Sequence, residues 1–313
     1  MSTLVKPLTP SAQGPAPAGP WRAWLAGPGV RYLLLLLPAL MVVAFVVYPT
    51  VATVIHSFYR LDPVGRVTGF AGVANYRMLF AEPVFLQVLR NTAIYAVASV
   101  VLSIALAFGM AMLLSGKVFV NRLLLLGIFS PTVMPTIAAA NIWLYFLAPQ
   151  LGLFTHLLGD FGIKNANLLG EPNTALGALV ALFVWKYAPY FTLFLMAGLQ
   201  AIPQNVRDAL RTEDPHGWHS LRKVVLPIMA PMLAFVITLA VIYAMETVDP
   251  VYVMTQGGPA NGTNLVMFYL YQLGFSYYSW GPAAALSGLL LGGLSSLSAL
   301  SLIALERRSF HWA

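Results

Sequence analysis

Residues 202–227 read IPQNVRDALRTEDPHGWHSLRKVVLP, a polar stretch between two long apolar runs. Pro203 suits the first turn of a helix, where its missing N–H group is not needed. Val206, Ala209 and Leu210 then follow at the i, i+3, i+4 spacing of one helical face. The stretch is therefore predicted to begin as a short amphipathic helix.

A break is predicted after this helix, at Asp214 and Pro215. The residue before a proline is disfavoured in the α conformation, so the chain is expected to turn there. Asp214 would cap a second helix that starts at Pro215, carries Trp218 and ends near Pro227. We call residues 202–227 the elbow. It is either a surface connection between two membrane spans or a knob that fits a groove on a partner.

The rest of the sequence is that of a membrane protein. Of its 313 residues, 59% are hydrophobic and only 9% are charged, whereas a soluble domain carries about 25% charged residues. Several runs reach the length of about 20 apolar residues that a helix needs to cross a bilayer. We predict an all-α, polytopic membrane protein with about six transmembrane helices. The predicted spans lie at about residues 32–55, 92–114, 123–147, 174–199, 228–248 and 281–305.

Three features complicate this assignment of spans. Pro131 and Pro135 fall in the third span and Pro189 in the fourth, where neighbouring helices must satisfy the carbonyls that the prolines free. Residues 262–279 are apolar and aromatic but short, and we interpret them as a partly embedded stretch before the last span. A signal peptide is the alternative for the first span, but that run is long and no small-x-small cleavage site follows it.

The basic residues predict the orientation. With the N-terminus inside, the cytoplasmic segments hold eleven Lys and Arg residues and the outer loops hold five, as the positive-inside rule requires. Residues 1–30 are then a flexible cytoplasmic tail, 31–308 the transmembrane domain and 309–313 a second cytoplasmic tail. The net charge of +7 needs no nucleic-acid partner. The inner residues are Lys6, Arg22, Arg31, Lys117, Arg122, Arg207, Arg211, Arg222, Lys223, Arg307 and Arg308; the outer ones are Arg60, Arg66, Arg77, Arg90 and Lys164.

Missing residue types and motifs exclude several classes of function. The chain has no cysteine, so disulfides, thiolate nucleophiles and Cys-ligated metals are excluded. It has no G-x-x-x-x-G-K-[ST] loop, so a partner must hydrolyse any ATP. His216 and His219 lack a suitable third ligand, and no metal site is predicted. A membrane enzyme would need a nucleophile–base pair, and the sequence offers none. An ion-coupled secondary transporter, the remote alternative, is expected to show internal repeats, which this sequence does not show.

Several positions of the elbow match a known pattern, namely Ile202, Pro203, Ala209, Arg211, Glu213, Trp218, Leu221, Arg222, Lys223, Leu226 and Pro227. At these positions the elbow resembles the EAA loop of binding-protein-dependent ABC importer permeases, in which Glu-Ala-Ala is followed three residues later by Gly. Here Asp208 stands for the Glu, Leu210 for the second Ala and Asp214 for the Gly. Asp is among the better substitutes in left-handed or capping geometry, so we expect the turn to be kept.

The resemblance extends over most of the chain. Residues 70–92, 185–200, 249–263 and 283–287 contain motifs similar to those of the carbohydrate-uptake branch of the family. The signature Gly257-Gly258-Pro259 is typical of one permease type, that of the maltose-importer F and glycerol-3-phosphate-importer A subunits. We expect a tight turn there. The resemblance implies that this turn faces the periplasm, on the side of the substrate-delivering protein.

Membership of this family would imply a non-catalytic subunit of the bacterial inner membrane, with the fold of a type I ABC importer permease. Its implied partners are a second, homologous permease subunit, two copies of a cytoplasmic ATPase and an external solute-binding protein. ATP and Mg would be used by the ATPases, and no cofactor would bind this chain. The elbow would be the coupling helix that docks on the ATPase. Its implied coupling residues are Asp208, Ala209, Leu210, Arg211, Glu213, Asp214, His216 and Trp218.

The solute is predicted to be a sugar, with glycerol-3-phosphate or a glycerophosphodiester as the alternative. Ionisable groups inside spans are costly, so Lys186 is expected to pair with Glu246 or Asp249, or to contact a polar solute. Sugars are commonly held by aromatic faces, although aromatic residues at membrane interfaces also serve as anchors. The candidate residues for the solute path are Asn141, Trp143, Tyr145, Trp185, Lys186, Tyr190, Glu246 and Asp249, with Tyr187 beside them.

Overall fold

The computed structural model describes residues 28–115, 122–149, 151–160, 167–206, 208 and 217–309. Most of these residues are helical, and the only sheet among them has two short strands. Within the described part of the chain, five helices are long and apolar enough to cross a membrane, or six if a bent pair forms one span. The predicted all-α membrane fold is confirmed. The predicted tails lie almost entirely outside the described residues.

The described chain falls into two compact units, which meet in sequence between Thr53 and Val54. The first is one apolar helical segment interrupted by a wider turn. Pro49 explains the interruption, because its ring has no N–H to donate and clashes with the carbonyl four residues earlier. The Thr50 and Thr53 hydroxyls donate to carbonyls one turn back, at 2.6 and 2.8 Å. The elements are α1 (Pro28–Val42), a π-helical turn (Val43–Val47) and α2 (Tyr48–His56).

The second unit begins with the last residues of α2 and continues into a hairpin that the hydropathy pattern does not predict. The Asp62 carboxylate accepts hydrogen bonds from two N–H groups of the turn, at 2.7 and 3.0 Å. Asn75 then ties the following helix to the hairpin by donating to the carbonyls of Ser57 and Tyr59, at 2.7 and 2.9 Å. The elements are the antiparallel strands β1 (Tyr59–Leu61) and β2 (Val67–Phe70), and helix α3 (Ala74–Ala81).

The other described elements of this unit are helical. Its elements are α4 (Pro83–Ser115), α5 (Arg122–Val133), α6 (Thr136–Phe146), α7 (Leu153–Asp160), α8 (Pro172–Gln200), α9 (Trp218–Ser220), a π-helical turn (Leu221–Val225), α10 (Leu226–Met245), a second π-helical turn (Val251–Thr255), α11 (Val266–Tyr271), a third (Gln272–Ser276) and α12 (Trp280–Ser309). The core lies where α4 and α8 pack closely together. Small residues allow this approach, since Ala107 and Ala111 are completely buried and Thr192 donates to the Ala107 carbonyl at 3.3 Å.

The third predicted span, 123–147, is not one straight helix. Its two halves, α5 and α6, are bent by 108° at Met134 and Pro135. Proline cannot donate to the helical ladder and moves the residue before it out of the α conformation. The prolines were expected to be tolerated inside one span, and Pro135 instead divides it.

Two other predicted boundaries also differ from those of the structure. The helix predicted to end near Pro227 continues, because a π-helical turn at Leu221–Val225 joins it to α10 and lets the proline occupy the first turn. Helix α4 starts at Pro83, nine positions before the predicted span. The stretch 262–279 contains α11, whose Val266 and Tyr269 are buried with Leu79 and Phe85.

Candidate functional site

The elbow is described only at its two ends. The first helix starts at Gln204, one residue after Pro203, which was expected in its first turn. Gln204 donates to the Asp208 carboxylate at 2.9 Å. At the other end Gly217 has a φ of +69°, so a second helix cannot run through it from Pro215. That helix instead begins at Trp218. The remaining predicted coupling residues, Ala209, Leu210, Arg211, Glu213, Asp214 and His216, lie outside the described residues.

Lys186 does not make the predicted pair with Glu246 or Asp249. Its side chain is only 4% exposed, and its ammonium group donates to the carbonyls of Pro131 and Met134. These carbonyls lie in the last turn of α5 and directly after it, where the break before α6 removes their helical partners. In return, the Thr132 hydroxyl donates to the Lys186 carbonyl at 3.3 Å. Lys186 therefore supplies hydrogen bonds to carbonyls that the break in the third span leaves without helical partners.

A cavity of about 210 Å³ lies between α4, α6, α8 and the end of α10. It brings together two predicted path residues, Glu246 and Asp249, with Tyr187 of the fourth span. Tyr187 stacks on Tyr243 with ring centroids 5.1 Å apart. The cavity is lined by Tyr95, Thr136, Leu182, Phe183, Tyr187, Tyr243, Glu246, Thr247, Val248, Asp249 and Pro250.

The other predicted path residues do not line this cavity. The ring centroid of Tyr190 lies 5.9 Å from that of the lining residue Tyr243. The rings of Trp143 and Trp185 contact each other in a separate aromatic cluster, with centroids 5.9 Å apart and planes inclined by 57°. Tyr145 is two-thirds exposed, at 67%. The Asn141 amide donates back to its own helix at 2.8 Å.

Sequence reasoning missed four polar lining residues of this cavity. Tyr243 and Thr247 flank Glu246 on α10 and its exit, so their i, i+3 and i, i+4 spacing was a usable signal. Thr136 reaches the cavity only because the bend at Pro135 redirects α6. Tyr95, whose hydroxyl lies 3.2 Å from that of Thr247, is brought in by the packing of distant helices.

The predicted turn at Gly257-Gly258-Pro259 is present. Its N–H groups close tight turns, from Gly258 to the Thr255 carbonyl at 2.9 Å and from Gly262 to the Pro259 carbonyl at 2.8 Å. Gly257 has a φ of +80°, which favours glycine. Helix α4 holds the segment that follows this turn, residues 260–266, through three side chains. Gln87 and Asn91 donate to its carbonyls at 2.9 and 2.7 Å, and the Thr92 hydroxyl accepts from a backbone N–H at 2.9 Å.

Comparison with known proteins identifies the class of membrane protein. The chain is 31% identical, over 88% of its length and 94% of the relative's, to the sn-glycerol-3-phosphate transport system permease protein UgpA of Rhizobium meliloti. It is also 31% identical, over 79% of its length and 83% of the relative's, to the trehalose/maltose transport system permease protein MalF of Thermococcus litoralis. The chain belongs to the permease subunits of ABC importers.

Solved structures agree with this family at the level of the fold. The permease matches a chain of a bacterial ABC transporter for the import of the acidic polysaccharide alginate, with a TM-score of 0.78 and 16% identity. The match covers 91% of the permease and 99% of that chain. A second structure, of the alginate transporter with its pentasaccharide-bound periplasmic protein, gives a TM-score of 0.70. No family model matches the permease. The predicted resemblance to the F-type and A-type subunits is confirmed.

Proposed function

We propose that this permease forms half of the membrane path of an ATP-driven importer for a sugar. An external binding protein would deliver the solute, and ATP hydrolysis in the cytoplasm would open and close the path. The similarity to importer permeases over 88% of the chain carries this proposal. The cavity supports it, because aromatic faces and hydrogen-bonding groups are the usual means of holding a sugar.

The proposed assembly contains a second, homologous permease, two copies of an ATPase and the binding protein. ATP and Mg would be used by the ATPases, and this chain would bind no cofactor or metal and catalyse no reaction. Both termini would be cytoplasmic, with 1–30 and 309–313 as tails. The excess of Lys and Arg in the predicted inner segments supports this orientation.

The elbow would couple the permease to the ATPases through its residues from Asp208 to Trp218. The turn at Gly257–Pro259 would lie on the binding-protein side. Of the predicted path residues, Glu246 and Asp249 would contact the solute, because they line the cavity. Lys186 would support the path indirectly by holding the break in the third span.

A glycerol-3-phosphate or glycerophosphodiester importer is the second candidate. The 31% identical relative from Rhizobium meliloti favours it, since its name specifies sn-glycerol-3-phosphate. A relative from Agrobacterium fabrum, 27% identical, is named for sulfoquinovosyl glycerol. Thermal-shift screening of the cognate binding protein against sugars and glycerophosphodiesters separates the two candidates.

The coupling proposal predicts that Ala209→Lys uncouples ATP hydrolysis from transport. A long cation at this position would prevent the elbow from seating on the ATPase, so solute uptake should fall at least about tenfold. The measurement compares ATPase activity and uptake by the complete importer in proteoliposomes. Ala201→Lys is the matched control, because Ala201 is exposed and lies just before the elbow. Uptake by Ala209→Lys equal to that of the control would refute the coupling role.

A further inference from the structure

The charge of the cavity narrows the class of solute. Glu246 and Asp249 both line it and both are exposed. Each therefore adds a formal charge of −1 to the lining. Among the described residues that line this cavity there is no Lys, Arg or His. The remaining polar lining groups are hydroxyls of Tyr and Thr, which carry no charge.

Lys186 does not neutralise these carboxylates, although it is adjacent to the lining residue Tyr187. Its ammonium is buried and bonded to the Pro131 and Met134 carbonyls. Two helix ends also meet the cavity, and their partial charges oppose each other. The start of α6 at Thr136 contributes about half a positive charge, and the end of α10 about half a negative charge. The two full carboxylate charges therefore dominate.

We propose that the cavity accepts a hydroxyl-rich solute without an anionic group and rejects phosphate esters. Carboxylates accept hydrogen bonds from sugar hydroxyls, and the Tyr187–Tyr243 pair offers an aromatic face. A phosphate would instead meet two like charges in the lining of the cavity. This inference rests on the proposed function. It predicts that the permease and its 31% identical relative, which is named for sn-glycerol-3-phosphate, differ in the solute that they accept.

The absence of cysteine from the chain allows a direct test of this charge. Thr136→Cys and Val248→Cys each place a single thiol in the cavity, and Gln256→Cys places one on the exposed turn as a control. The complete importer, with cysteine-free partners, is treated with a cationic trimethylammonium-ethyl methanethiosulfonate or an anionic sulfonatoethyl methanethiosulfonate. The rate at which each cysteine reacts with each reagent is measured without nucleotide and in the ATP-trapped state. Each rate is divided by the rate of the same reagent with a free thiol in solution.

The normalised preference for the cationic reagent should be at least about tenfold higher in the cavity than at the control. Combining Glu246→Gln with Asp249→Asn should bring it to within about twofold of the control. Equal or faster reaction with the anionic reagent, or a preference that survives neutralisation, would overturn the inference. So would the failure of both cavity thiols to react in both states, because a solute cavity must open to water during transport.

Uptake by the same importer separates this inference from the proposed function. ATPase activity stimulated by the binding protein tests the importer function alone. Uptake of sn-glycerol-3-phosphate should not exceed that of vesicles without the complex. Measurable uptake together with stimulated ATPase activity would refute the charge selectivity and leave the importer function intact. Loss of stimulation while the cationic preference persists would refute the importer function alone.

Discussion

Lys186 is the residue whose role the structure changes most. A lysine near the middle of a span usually indicates a functional charge. Here its ammonium occupies the place of the N–H groups that Pro135 and the bend remove from the end of α5. The chain thereby satisfies two carbonyls that would otherwise face a medium poor in hydrogen-bond donors.

Replacing this lysine should therefore weaken the fold. In Lys186→Met the two carbonyls lose their donor, which costs about 1–3 kcal/mol for each buried group left unsatisfied. We expect a lower unfolding temperature for the purified importer, measured by intrinsic fluorescence. Lys223→Met is the control, since Lys223 is exposed. An unfolding temperature equal to that of the control would contradict the structural role. An equal drop in unfolding temperature in Glu246→Gln would indicate instead that Lys186 and Glu246 form an ion pair.

Among the elements, the segment 257–262, which begins with the Gly257-Gly258-Pro259 turn, depends on contacts with two helices. Polar side chains of α4 bind its carbonyls, and Gly262 lies against the start of α8. A Cβ atom added at Gly262 would come within 2.5 Å of the Pro172 Cβ atom and 3.0 Å of the Pro259 carbonyl oxygen. Both neighbours are rigid, so a side chain cannot enter without moving the turn away from α8.

Gly262→Ala should consequently destabilise the permease by about 1–3 kcal/mol, the usual cost of overpacking a rigid site. It should also reduce the stimulation of ATPase activity by the binding protein, if this turn lies on the docking side. Gly127→Ala is the matched control, because nothing lies within 4 Å of a Cβ atom there and alanine favours a helix. Equal thermal stability of the two variants would show that the turn is less constrained than the structure indicates.

For the whole molecule, the hairpin at 59–70 and the π-helical turn before α10 test the orientation. A cysteine in place of Val64, which is 76% exposed in the hairpin turn, should react with a membrane-impermeant maleimide in intact cells. Arg222→Cys, also exposed, should react only after the membrane is permeabilised. The expectation follows from the eleven-to-five bias of basic residues. The opposite labelling pattern would reverse the predicted topology.

The sequence predicted some parts of the candidate site and missed others for identifiable reasons. Glu246 and Asp249 were found because a charge in an apolar run is conspicuous. Thr136 and Tyr95 were not, because a Thr or Tyr in a span has no such signal and reaches the cavity only through packing. Trp143 and Trp185 were expected to bind the sugar, yet their rings contact each other outside the cavity. Residue type alone does not say which way a side chain points.

The elbow and the apolar runs by themselves determined that this chain is a helical membrane protein of the importer family. Hydropathy acts over about 20 consecutive residues, and a local motif survives divergence elsewhere, so both can be read without a structure. Only the tertiary structure decided how the third span bends, what Lys186 binds and which side chains share a cavity. These depend on contacts between residues tens of positions apart, such as Lys186 with Pro131. Local sequence carries no record of such contacts, because they are set by how the helices pack.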